Sequence, residues 1–241
     1  IIALVILFCA LIAPSNLSTA ALLFLSSFIM MFVGRISMKY VILLTILGIG
    51  VFAGIFLIGQ YFPEHFRVDT WISRINDFLY SDGGYQIEQS KVAIANGGFL
   101  GVGPGNSNQR HFLPFAYADF IYAIICEEYG LIGGAVILFL YLWLLFRTIS
   151  LVTRCPKTFG AMLAMGLMLN IVITAFANIA VSVQLVPATG LTLPMISMGG
   201  TSFLFTCLSF GIILSVSRYV EQAYEEKKQL EKMELDGTSD H

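Results

Sequence analysis

The stretch Gly97–Gly134, GGFLGVGPGNSNQRHFLPFAYADFIYAIICEEYGLIGG, decides how the rest of the chain is read. It opens as a glycine-rich polar loop, passes Pro114, and at Asp119 becomes a long apolar run that carries Glu127 and Glu128. A carboxylate at the mouth of a hydrophobic segment, with two more inside it, is costly to keep in lipid. Function is the usual reason such groups persist there.

The composition supports a membrane reading. Of 241 residues 57% are hydrophobic and only 12% are charged, against about 25% charged in ordinary soluble domains. The expected class is an all-α, polytopic transmembrane helical bundle. The formal net charge of -2 and the lack of a basic tract give no reason to expect a nucleic-acid partner. Cys9, Cys126, Cys155 and Cys207 are scattered without CxxC spacing and read as small buried hydrophobes. The chain opens with Ile1 inside an apolar run, which suggests a piece of a longer protein.

Outward from the central stretch, apolar runs predict spans at about 17–34, 40–61, 120–146, 159–185 and 197–219. Residues 1–13 form a shorter run, read as the tail of a further span, which makes about six. Residues 62–118 change character: Glu64, Arg67, Asp69, Arg74, Asp77, Asp82, Glu88, Lys91 and Arg110 appear among several aromatics. This is expected to be one large ordered loop on the membrane surface, with short amphipathic helices near Trp71–Leu79 and Gln86–Ala95. The domain expectation is a single transmembrane unit over 1–220 and a charged, partly disordered tail over 221–241. Arg35/Lys39, Arg147/Arg154/Lys157 and Arg218/Lys227/Lys228 fall on one side if each span crosses once. The uncharged turns 14–16 and 186–196 then share the other side with the large loop. By the positive-inside rule the C-terminus is cytoplasmic, and the loop and Asp119 face out.

Asp119 is placed at the first turn or N-cap of its helix. It reads either as a cap for backbone N–H groups or as a general base at the membrane interface. Glu127 falls about 12 Å deeper by helical rise and nearly on the same face, with Glu128 turned by about 100°. Both are read chiefly as structural groups that hold the bundle. The glycines of 97–105 lack a Walker lysine and read as a compact turn with positive φ angles, with no nucleotide to bind. Arg110, Lys91 and Arg74 are the nearest cations in sequence. An arginine there is suited to neutralise a pyrophosphate. For Lys91 a surface role is preferred. Asn178, Gln184 and the small residues from Ser197 to Ser202 read as helix-packing groups or as the lining of a polar cavity.

At GVGPGNSNQRHFLPFAYADFIYAIICEEYGLIGG the chain resembles the SEDS family (shape, elongation, division and sporulation) of polytopic peptidoglycan glycosyltransferases. NLSTA at 16–20, YQIEQS at 85–90 and LVPATGLTLPMISMGGTS at 185–202 are similar to three further motifs of that family. Phe115 stands where the family usually has Glu, Tyr117-Ala118 where it has His-Thr, and Asn16 and Ser18 where it has Asp and Gly. GPGNSNQR and the VSV after Ala180 look more like the division (FtsW-like) branch than the elongation (RodA-like) branch.

The resemblance implies a protein of about ten spans in the bacterial cytoplasmic membrane. It would polymerise lipid II into β-1,4 glycan strands at the outer face by inverting transfer. Asp119 would be the base, and Arg110, Gln109, Arg74, Ser107, Gln89 and Ser202 would bind substrate. Glu127, Glu128, Gly199 and Gly200 would support the cavity. A divalent cation, magnesium or manganese, is implied as a possible helper, without a nucleotide. Implied partners are lipid II, undecaprenyl-linked glycan, membrane lipid, a class B penicillin-binding protein and other division-complex proteins. The rival readings are a lipid II flippase and a scaffold that recruits the transpeptidase.

Overall fold

The computed structural model describes residues 2–61, 68–80 and 84–238. Glu64, Arg67 and Asp82 of the large loop lie outside them. The described residues contain no strand. The helices are α1 (Ile2–Ile12), α2 (Leu17–Val33), α3 (Met38–Tyr61), α4 (Val68–Tyr80), α5 (Gly84–Gly97), α6 (Ile121–Arg154), α7 (Thr158–Ser182) and α8 (Gly200–Thr238), with a 3-10 turn at Gln109–His111.

Among the described residues four helical stretches are long and apolar enough to cross a membrane: Met38–Gly59, Ile121–Arg154, Thr158–Ser182 and Gly200–Glu226. α1 and α2 are apolar but shorter, at 11 and 17 residues. Asn16 starts α2 by accepting the Thr19 N–H at 3.2 Å, which frees one backbone donor from needing a lipid-side partner.

The sequence expectation ends the third long span near Phe146, but α6 continues to Arg154. Nothing in RTISLVT breaks a helix, and the stop comes at Cys155, where the following Pro156 disfavours helical backbone. α8 likewise runs on through the charged tail to Thr238, because Glu, Lys, Gln, Leu and Met are good helix formers.

α7 is the hub. Its buried residues spread around the helix, from Ala161, Ala164 and Met168 to Ala175, Asn178, Ile179 and Ser182. At one end Ala164, Met168 and Val172 pack with Ile213 of α8. Further along, Ile171, Ala175 and Ile179 meet Tyr122, Cys126 and Tyr141 of α6 and Leu193. Exposed large apolar residues such as Ile42, Ile46 and Ile49 of α3 and Phe139, Leu140 and Trp143 of α6 face outward, as lipid-facing positions must.

The two helices expected in the large loop exist, but one sits elsewhere. α4 is amphipathic, and Trp71 stacks on Phe52 of α3 with ring centroids 6.4 Å apart. α5 is not a surface helix. Ile87, Ser90, Ala93 and Gly97 are buried against the bundle, and the Ser90 hydroxyl donates to the Ser182 carbonyl of α7 at 2.9 Å. Small residues on one face let this helix approach closely enough to enter the packed core.

Candidate functional site

α6 is broken. At Gly130 the backbone takes φ 70°, ψ -171°, a conformation open to glycine and strained for any other residue. The glycine loop fills the break. Val102 and Gly103 N–H donate to the carbonyls of Glu127 and Glu128, each at 3.0 Å, and Leu131 N–H donates to the Gly98 carbonyl at 2.9 Å. The backbone groups orphaned by the break are thus satisfied by the loop, as burial demands. The contact is backbone on backbone. A Cβ on Gly97 would lie 1.9 Å from the Cys126 carbonyl oxygen, and one on Gly101 would lie 2.2 Å from that of Glu128. The expectation of a compact positive-φ turn holds at Gly98, Gly101, Gly103 and Gly105, but the partner brought close is α6 itself.

Glu127, 1% exposed, serves the same docking. Its carboxylate accepts the Ser107 hydroxyl and, at 3.3 Å, the Gln109 backbone N–H. The Ser107 oxygen in turn accepts the Arg110 N–H at 3.2 Å. Replacing Glu127 with Ala strands these donors and is expected to cost roughly 1–3 kcal/mol. The check is a lower thermal midpoint of the detergent-purified protein, with Glu127→Gln retaining most of the difference. Glu128 presents to the loop its backbone carbonyl, which accepts the Gly103 N–H.

Asp119 lies just before α6, and its side chain does not cap the helix. The N-cap is Phe120, which makes no side-chain cap bond. The capping reading is therefore corrected: the carboxylate is left for other use. Its backbone is firmly held. Three successive carbonyls receive three donors, Tyr117 from Met198 N–H at 3.0 Å, Ala118 from the Ser197 hydroxyl at 2.6 Å and Asp119 from the Asn178 carboxamide at 2.7 Å. The segment is suspended from α7 and from the loop that precedes α8.

Asp119 opens into a cleft of about 260 Å³, lined also by Arg74 and Asp77 of α4, Tyr85 and Gln86 of α5, and Thr189 and Gly190. A second recess of about 520 Å³ adjoins it, shares Arg74 and residues 188–191, and runs past Asn16, Leu22 and Leu25 of α2 and its lead-in. Arg74 stands between the two recesses, its guanidinium donating to the Ala188 carbonyl at 3.1 Å. Burial raises the Asp119 carboxyl above the usual carboxylate range, and the Arg74 charge partly opposes that rise. The site thus holds a partly desolvated carboxylate facing a cation, the arrangement suited to a base beside an anion.

Of the residues singled out in the sequence, Arg74 and Asn178 join Asp119 in the cleft, while Ser107, Gln109, Arg110, Gln89 and Ser202 do not line it. Ser107 is buried and committed to Glu127. Gln109 gives its backbone to Glu127, while its buried Oε1 has no hydrogen-bond partner among the described residues. Arg110 is exposed and donates to His111 at 3.3 Å. Gln89 is half-buried on α5. Ser202 pairs with Thr192 at 3.0 Å, and a Cβ on Gly199 would meet these same two side chains at ordinary contact distance. Gly200 opens α8. Asp77, Gln86, Thr189 and Gly190 were not picked out as site residues. The motif LVPATG held the only local signal for the last two. Among the described residues no group of three His, Cys, Asp or Glu side chains could hold a metal ion.

Apolar helices in number and a polar, carboxylate-bearing cleft at one end of the bundle define a polytopic membrane helical protein. Residues 1–222 match the family described as cell cycle protein, that of FtsW, RodA and SpoVE, and the chain belongs to it. Stage V sporulation protein E of Bacillus subtilis (strain 168) is 36% identical over 213 residues, covering 88% of this chain and 57% of the relative. A probable peptidoglycan glycosyltransferase FtsW of Nitrosococcus halophilus is 34% identical, with coverage of 86% and 53%. The peptidoglycan glycosyltransferase MrdB of Escherichia coli (strain K12) is 34% identical, with coverage of 85% and 55%. The chain thus spans a little over half the length of these curated relatives. A solved chain from a peptidoglycan synthase complex of polymerization and crosslinking aligns with a TM-score of 0.64 at 24% identity, over 88% of this chain and 58% of that one. That likeness establishes the fold.

Proposed function

We propose that this chain carries the catalytic base of a peptidoglycan glycosyltransferase that polymerises lipid II at the outer face of the bacterial cytoplasmic membrane. The observation that carries the reading is the half-buried Asp119 carboxylate, held by its backbone and facing Arg74 in a cleft. Family membership and relatives named as peptidoglycan glycosyltransferases support it. In this mechanism Asp119 takes the proton from the 4-hydroxyl of the acceptor GlcNAc as its oxygen attacks C1 of the donor MurNAc. The bond from C1 to the pyrophosphate oxygen breaks, its electron pair leaves with undecaprenyl pyrophosphate, and C1 inverts. One displacement needs one base and no covalent glycosyl-enzyme.

Arg74 is the cation we assign to the departing pyrophosphate, in preference to Arg110, because it lies beside Asp119 and borders both recesses. A divalent cation, magnesium or manganese, would be carried into this cleft mainly by the pyrophosphate oxygens. We assign the large loop to the outside and the C-terminus to the cytoplasm. In support, Arg147 and Arg154 share a recess with Glu221 and Tyr224 of α8, while Asp119 and the loop lie at the other end of α6. The division branch is preferred on the wording of 103–110, and the partner on this reading is a class B penicillin-binding protein within the division complex. The solved neighbour's own membership of a synthase complex fits that assignment.

The reading is tested with the full-length protein and its partner transpeptidase, supplied with lipid II without nucleotide, by following glycan strands on a gel. Strand formation is expected. Transbilayer movement of lipid II in vesicles without any strands would replace this reading with the flippase. In the same assay Arg74→Ala is expected to lower the rate by roughly 10²-fold, the scale for losing one donor to developing charge. Arg74→Lys should recover part of that rate, and Arg110→Ala should lose far less. A larger loss at Arg110 than at Arg74 would reverse the assignment of the leaving-group cation.

A further inference from the structure

Asn178 lies near the end of α7 at the floor of the cleft, 1% exposed, where a leucine would serve packing better. Its carboxamide spends both protons on backbone carbonyls from two different segments, Asp119 at 2.7 Å and Leu191 at 2.6 Å. Its Oδ1 is buried and has no hydrogen-bond partner among the described residues. A half-satisfied polar side chain in a core is unfavourable, so packing alone does not explain it.

The two carbonyls it joins belong to the two sides of the cleft. Asp119 borders α6, and Leu191 belongs to the uncharged loop that forms the facing wall with Thr189 and Gly190. The Asp119 carbonyl receives no intrahelical donor in exchange, since the Ala123 N–H goes to Phe120 at 3.0 Å.

We infer that Asn178 is the positioning residue of this site: by clamping the Asp119 backbone to the facing loop it fixes where the carboxylate stands. The inference rests on the proposed role of Asp119 as base. Around that carboxylate the ionisable groups among the described residues are Arg74 and Asp77 from α4 and Tyr85 from α5, and the loop wall 186–191 contributes none. With the clamp cut, the walls part, water reaches Asp119, and the burial that raises its carboxyl is relieved.

The experiment compares wild type and Asn178→Leu in the full-length protein with its transpeptidase, measuring lipid II polymerisation against pH alongside thermal melting. The base must be ionised, so the rate falls as pH drops through the Asp119 pKa, and this acid limb reports the clamp. Asn178→Leu is expected to lower turnover by about 10²-fold, the scale for a misplaced reacting group, to leave KM for lipid II nearly unchanged, and to move the acid limb to lower pH. An acid limb that stays in place, with rate lost only in proportion to folded protein, overturns the inference. Should Asn178→Leu fail to fold, Asn178→Ser, which keeps one donor and adds no bulk, carries the same comparison. Asp119→Asn in the same series separates the two claims. Full activity there removes the base itself, whereas an inactive Asp119→Asn with an unmoved limb in the Asn178 variants removes only the clamp.

Discussion

Asp119→Asn is expected to abolish lipid II polymerisation to within the limits of a gel assay while leaving the protein folded. The side chain makes no cap bond to α6, and the segment is held through the carbonyls of Tyr117, Ala118 and Asp119, so removing the charge leaves the scaffold's bonds intact. What disappears is the acceptor for the attacking hydroxyl's proton, a contribution of roughly 10²–10⁴-fold for a positioned general base. Asp119→Glu keeps the charge but moves the carboxylate by one methylene, and a displacement near 1 Å can itself cost about 10²-fold. The expected order is therefore wild type, then Glu, then Asn, with equal melting temperatures. An Asn variant that extends strands at the wild-type rate removes Asp119 from the chemistry. One that loses activity together with its fold indicates a structural role instead.

The second large effect is expected at the glycines of the break. Gly101→Ala places a methyl carbon 2.2 Å from the Glu128 carbonyl oxygen, at φ 81°. Gly97→Ala does the same at 1.9 Å from Cys126. Neither neighbour can swing aside, because both are main chain. The loop must lift from α6, which costs the bonds from Val102 and Gly103 and uncovers carbonyls that have no other donor. Either variant is expected to lose most folded protein after detergent extraction and to expose the 98–110 loop to added protease. Gly105→Ala is the control: no atom lies within 4 Å of its added carbon, and only the φ of 77° is unfavourable. If Gly101→Ala melts like wild type, the docking of loop on break is not what holds this region.

How much of this was legible in the sequence depends on the distance over which each feature is built. The apolar helices, the amphipathic α4 and the place of Asp119 just before α6 are local patterns of hydropathy and charge, legible in the sequence although α6 runs past its expected end. The glycine loop read correctly as a tight positive-φ turn, but no pattern reveals that its partner is a break in the next helix. Gly130 looks like any glycine in a membrane span. Ser107 and Gln109 are expected as substrate ligands through the family resemblance, and the residues themselves carry no sign of another task. A buried Glu127 needs donors, however, and the loop laid over it supplies them. Arg110 and Arg74 are both candidate cations in the sequence, and nothing local shows which of them reaches Asp119. The fold brings α4 across to Asp119 from 45 residues upstream (119 less 74). α5 was read as a surface helix because it is short and mixed in polarity, and its small residues turned out to mark a packed face.

The suspension of Asp119 from three carbonyls also sets an order of assembly. The glycine loop finds its partners within about thirty residues of itself, so that docking can close as soon as the first half of α6 has been made. The donors that hold this segment come later in the chain, Asn178 59 residues after Asp119 and Ser197 79 residues after Ala118. During synthesis the carboxylate is therefore present long before it is placed, and the cleft is completed only when the loop that precedes the last span has been made. A nascent or truncated chain ending before residue 197 would display the loop and lack the site.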